Sequence, residues 1–131
     1  MLRRAVIEVL KALPALSGRA YQAFLAPANA GRPYATVKVP AVRGDPQLPR
    51  AGAQLVEVRL YADPDTFVSL DQLESAVIDA LNGKEIADAV SSSVFHVEWE
   101  PGGGDFQDDQ RQLIGRLVMF EAAVLHEPTG S

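Results

Sequence analysis

Gln54-Leu-Val-Glu-Val-Arg-Leu-Tyr-Ala62 alternates without a break: Val56, Val58 and Leu60 fall on one side, Glu57, Arg59 and Tyr61 on the other. A side-chain period of two marks a strand with one face on a core. Just downstream the period changes. Leu70, Leu73, Val77, Ile78 and Leu81 recur at helical spacing, Ser69 and Gln72 have the spacing of a capping box, and Val68 stands where a staple onto Leu73 would begin. The spacing predicts a helix that starts at Leu70 and stops at Asn82-Gly83, where glycine accepts the left-handed conformation of a helix end.

Upstream, Pro33 to Val42 places Ala35, Val37 and Val39 inward and Tyr34, Thr36 and Lys38 outward. Pro40 has no N–H to give a ladder, so that strand ends at an edge or leaves the sheet there. Arg19 to Leu25 alternates more weakly and predicts a short strand. Leu2, Val6, Val9, Leu10 and Leu13 form the stripe of a first helix, ended by Pro14 and Gly18. Residues 43–53 carry Pro, Gly and Arg with little periodicity between two strands, and read as a long hairpin loop. Downstream, Lys84 to Ser93 shows no clear period. Val94 to Glu100 alternates Phe95, Val97 and Trp99 against His96, Glu98 and Glu100; Pro101 to Asp109 reads as an acidic, flexible connection. Arg111 to Leu125 is a long strand with Ile114, Val118, Phe120, Ala122 and Val124 on one face and Leu113, Leu117, Met119 and Leu125 on the other. Both faces therefore seek burial.

The resulting order is α-β-β-β-α-β-β. Hairpin connections make the sheet mainly antiparallel with two helices packed on one face, an α+β fold. One domain is expected over residues 1–126, with 127–131 as a flexible tail.

The chain has 131 residues, 47% of them apolar, and no Cys, so disulfides, thiolate zinc sites and a cysteine nucleophile are excluded. Twelve basic against 17 acidic residues leave a net charge of −5, opposite in sign to the footprint of a protein that wraps phosphates. Glu8 and Lys11 interrupt the N-terminal apolar stretch, which is not a signal peptide, and no run approaches the ~20 residues that span a bilayer. A soluble cytoplasmic chain is the expectation.

Chemistry-bearing constellations are sparse. His96 and His126 lie in no metal-ligand spacing; Asp105, Asp108 and Asp109 follow Gly102-Gly-Gly104 without the ligand pattern of a calcium loop. The three glycines precede no Lys-Ser/Thr, and Ser91-Ser-Ser93 lacks a nucleophile elbow. Glu98 and Glu100 sit about 7 Å apart by strand rise, superficially suited to glycoside chemistry, but alternating glutamates on a solvated strand face are ordinary. No catalytic, metal or cofactor site is assigned. The candidate residues are instead interfacial: Arg43, Asp45, Leu48 and Arg50 in the long loop, Tyr34 and Tyr61 on the outer sheet face beside Leu55, and Asp105, Phe106, Asp108 and Asp109 in the Gly-rich segment. Apolar groups on a sheet's outer face suit another subunit; alternatively, the sheet curls over itself.

Leu16-Ser-Gly-Arg-Ala-Tyr21, Arg32-Pro-Tyr-Ala-Thr-Val37, Val56-Glu-Val-Arg-Leu-Tyr-Ala62, Ala76-Val-x-x-Ala-Leu81 and Arg116-Leu-Val-Met-Phe-Glu-Ala122, in this order after an N-terminal helix, resemble the tail terminator or tail-completion proteins of long-tailed bacteriophages. The resemblance covers nearly the whole chain. It implies a non-enzymatic virion protein, assembled in the host cytoplasm, that forms a hexameric ring on the head-proximal end of the tail. Its partners would be the tail tube protein and a head-tail connector or head-completion protein. DNA would pass an acidic lumen without specific binding; no cofactor or membrane is implied. Ring contacts would fall on the sheet edges and last strand, tube contacts in 43–53 or 102–109. The competing readings are another small head-tail connector and an α+β domain enclosing a small-molecule pocket.

Overall fold

A computed structural model describes residues 2–40, 53–64 and 67–126. Its elements are α1 (Leu2–Lys11), β1 (Ala20–Gln22), β2 (Tyr34–Lys38), β3 (Ala53–Ala62), α2 (Val68–Leu81), β4 (Lys84–Ala87), β5 (Val94–Asp108) and β6 (Leu113–His126). They form a six-stranded sheet of order β1-β2-β3-β6-β5-β4. All pairings are antiparallel except β1 with β2. The α+β class with a mainly antiparallel sheet is as expected, and β4 adds a strand after α2.

The alternation of β3 is realised as burial: Val56, Val58 and Leu60 are fully buried, and Glu57, Arg59 and Tyr61 half-buried. Register carries this face across the sheet, placing Val37 beside Val58, Val58 beside Val118, and Val56 beside Phe120. Leu2, Val6 and Leu10 of α1 and Leu70, Leu73, Val77 and Leu81 of α2 close the core over it. Both helices thus pack on one face and touch each other. α1 has 10 residues, about 15 Å of helix. It nevertheless touches β1 and β4, the two outer strands, which a flat sheet would hold roughly 24 Å apart.

Several local expectations are corrected. α2 begins at Val68 with Phe67 as an N-cap that makes no side-chain cap bond, so Ser69 and Gln72 do not form the capping box, and Val68 stands 58% exposed rather than stapled. Its end does follow the expectation, with Gly83 left-handed at φ +70°. The segment after Pro101 is no flexible connection. β5 runs through it to Asp108, with the irregularity confined to a register shift between Glu100 and Gly104. Lys84–Ala87, whose short length hid its period, pairs antiparallel with β5. The expected strand from Arg19 shrinks to three residues, and Val124 at the end of β6 is 42% exposed instead of buried.

Asp88 is the fully buried carboxylate that ties α1 to the turn after β4. Arg4 donates from Nε to Oδ1 at 2.5 Å and from Nη2 to Oδ2 at 2.6 Å, while the Ser91 hydroxyl donates to Oδ2 at 2.5 Å. The Arg4 guanidinium first, and Ser91 second, hold the Asp88 carboxyl well below the ordinary carboxylate range. A depressed folded-state pKa contributes stability that is complete above the unfolded value of about 3.9 and is lost as pH falls through the lower folded value. Asp88→Asn is therefore expected to lower the urea midpoint most near pH 7. The gap to wild type should narrow progressively below about pH 4.

Candidate functional site

The helix-free face of the sheet divides into two regions. Register aligns Tyr34, Tyr61, Gly115 and Phe106 across four strands. With Tyr21 they make a continuous aromatic ladder: Tyr21 meets Tyr34 edge-on at 6.1 Å, Tyr34 stacks on Tyr61 at 4.7 Å, and Phe106 meets Tyr61 edge-on at 5.5 Å. Gly115 is required here, because the Phe106 ring occupies the space a side chain would take. Burial pushes the Tyr61 phenol above its ordinary pKa, opposed by its hydrogen bond with Thr36. Tyr34 is only 3% exposed. It is a core residue of this face rather than the outward contact expected from its strand parity, since the neighbouring rings cover it.

The second region is acidic. His96 Nε2 lies 2.6 Å from Glu98 Oε1, and Glu121, 2% exposed, stands opposite Glu98. The Glu100 carboxyl is pushed up, first by burial, then by a hydrogen bond shared with Glu121 and by the charges of Glu121 and Glu98. Across the sheet, Arg59 lies 3.7 Å from Glu57. Glu98 and Glu100 thus belong to a compact carboxyl cluster, which their alternation hinted at; Glu121 was hidden among the apolar residues 117–125 of β6.

The remaining candidate residues separate. Asp105 lies on the helix side, where it accepts from Arg116 Nε at 2.7 Å. Arg116, 11% exposed in its side chain, also bonds Asp71 at 2.5 Å and lies 3.4 Å from Glu74, so one guanidinium joins α2 to β5 and β6. Its pKa is raised, chiefly by Asp105. The lone Arg in the apolar run 113–125 was the available signal. Asp108 accepts from the Arg111 backbone N–H at 3.1 Å, and Asp109 is exposed in the same turn. Arg43, Asp45, Leu48 and Arg50 lie outside the described residues.

Grooves of about 450 and 340 Å³ flank these elements, the first between α1 and β1, the second around Trp99, Gly102–Gly104 and Arg116. A third of about 200 Å³ lies by Arg32, Pro33 and Leu73. Among the described residues, no group of three or more His, Asp or Glu is placed to hold a metal ion, and no helix is long and apolar enough to cross a membrane.

No protein-family model matches the chain, and no curated protein is similar to it. Among solved structures, the α+β architecture is shared end to end with a chain described as "Virion of native gene transfer agent (GTA) particle". The two are 22% identical with a TM-score of 0.67, over 94% of this chain and 93% of the other. That likeness shows a common fold.

Proposed function

We propose that the chain is a structural, non-enzymatic protein of a phage-like particle, and within it the terminator that forms a hexameric ring on the head-proximal end of the tail tube. There it would stop tube polymerisation and offer the joining surface for the head connector. The observation that carries this reading is the end-to-end likeness in fold to a virion chain, joined by the order of family-like segments along the sequence. A closed ring needs heterologous contacts, for which the edge strands β1 and β4 are available; the last strand, β6, expected to serve as well, lies inside the sheet between β3 and β5. The net charge of −5 suits a lumen that passes DNA without retaining it. The loop 43–53 is proposed to contact the tube.

Light scattering coupled to size exclusion, across a concentration series at low and high salt, tests the ring. A mass near six times 14.1 kDa is expected; a mass that stays at 14.1 kDa throughout counts against a free ring. Reversing the charge of both Arg43 and Arg50 should weaken tube or subunit association while leaving the circular dichroism spectrum unchanged.

A further inference from the structure

β1, β2, β6 and β4 run in one direction and β3 and β5 in the other. The ends of the first four and the starts of the last two therefore form one rim of the sheet. Seven large apolar side chains stand exposed among the described residues, and five of them lie on this rim: Phe24 (91%), Leu25 (64%), Val90 (74%), Val124 (42%) and Leu125 (51%). Phe24 and Leu25 follow β1, Val90 follows β4, and the other two end β6. Phe24 is held there at φ +69°, a conformation that costs a bulky residue free energy.

The rim is also distinct in charge. Within its segments 22–27, 38–40, 53–54, 87–94 and 122–125 the one carboxylate is Asp88, which is buried against Arg4. Lys38 sits with Nζ 5.8 Å from the centre of the Phe24 ring. The Arg4–Asp88 pair brings the first turn of α1, with the exposed Arg3, to the same end, where Arg3 and Leu25 share a groove. The opposite rim is charged and rich in acid: Asp63, Asp71, Asp108 and Asp109 stand there with Arg32 and Arg111. Apolar groups exposed along one rim are stabilised by cover from a partner, and the cations Arg3 and Lys38 at their border favour a partner bearing carboxylates.

We infer that the apolar, cationic rim around Phe24, Leu25 and Val90 is the surface by which this chain docks on another protein of the particle, one presenting apolar side chains bordered by carboxylates. The inference rests on the assembly reading above and assigns its tube-facing end. Residues 40 and 53 lie on this rim, whereas the Gly-rich segment 102–109 leads to the opposite one.

The test is co-sedimentation of the full chain with tubes assembled from the particle's tail-tube protein. Three proteins are compared: wild type, Phe24→Glu/Val90→Glu, and Asp108→Lys/Asp109→Lys. Phe24, Val90 and Asp109 are exposed, and Asp108 is the half-buried last residue of β5, where it accepts from the Arg111 backbone N–H; circular dichroism checks that all three proteins are folded. The rim variant is expected to bind at least tenfold more weakly than wild type, with the opposite-rim variant unchanged. Failure of wild type to sediment overturns the assembly reading itself. Equal binding by the rim variant, or loss confined to the opposite-rim variant, overturns the rim assignment while the assembly reading stands. A rim variant that loses a self-associated mass seen for wild type in the absence of tubes assigns the rim to a second copy instead, and likewise overturns it.

Discussion

Phe120→Ala is expected to cost about 3–5 kcal/mol of unfolding free energy, the usual range for truncating a fully buried aromatic. Phe120 is 0% exposed and sits in the middle of β6, between Val56 of β3 and Trp99 of β5, on the face that receives α2. Removing the ring deletes its transfer free energy and leaves a cavity bounded by two long strands, which cannot collapse without breaking their ladder with β6. Against a total of about 5–15 kcal/mol for an ordinary domain, such a loss leaves a chain that unfolds at low denaturant. The measurement is urea unfolding by circular dichroism. Phe24→Ala, at a residue 91% exposed, should shift the midpoint by less than about 0.5 kcal/mol.

The second large effect is expected at Gly103, where Gly103→Ala should cost about 3 kcal/mol. A methyl group there would lie 2.8 Å from the carbonyl carbon of Leu117 and nearer still to its oxygen. Both are backbone atoms, so no rotamer change relieves the overlap. β5 shifts register between Glu100 and Gly104, and the close approach of Gly103 to β6 is how the strand resumes pairing after Pro101. Opening that bulge would also displace Asp105 from Arg116 and loosen the joint between sheet and α2. Gly104→Ala is the control: nothing stands within 4 Å of the added carbon, and its cost should stay near that of a glycine-to-alanine change on a strand, within about 1 kcal/mol. Urea midpoints of the two variants, measured side by side, check the contrast.

The long alternating and helical periods were legible because they exceed any accidental run. β3, β6 and the buried stripe of α2 follow from Val56, Val58, Leu60, Phe120 and Leu73 without reference to the rest of the chain. The beginning of α2 was not: Phe67 and Val68 took the start because α2 is anchored by packing of Leu70 and Leu73, and the cap chemistry of Ser69 did not prevail. Three glycines after Pro101 suggest flexibility to local reasoning, yet the missing side chain of one of them, Gly103, is what permits β5 to press against β6. Parity alone placed Tyr34 on the outer face correctly but could not foresee that Tyr21, Tyr61 and Phe106 would cover it, since those rings come from distant segments. The contact surfaces were harder still. The apolar rim gathers Phe24, Val90 and Leu125 from three separate places, and only the strand directions bring them to one end.

The most direct test of the terminator reading is electron microscopy of tail-tube protein polymerising with and without the chain. The account predicts shorter tubes, each carrying a ring of this protein at one end. Tubes of unchanged length with bare ends, at concentrations where the chain is folded and in excess, would contradict it.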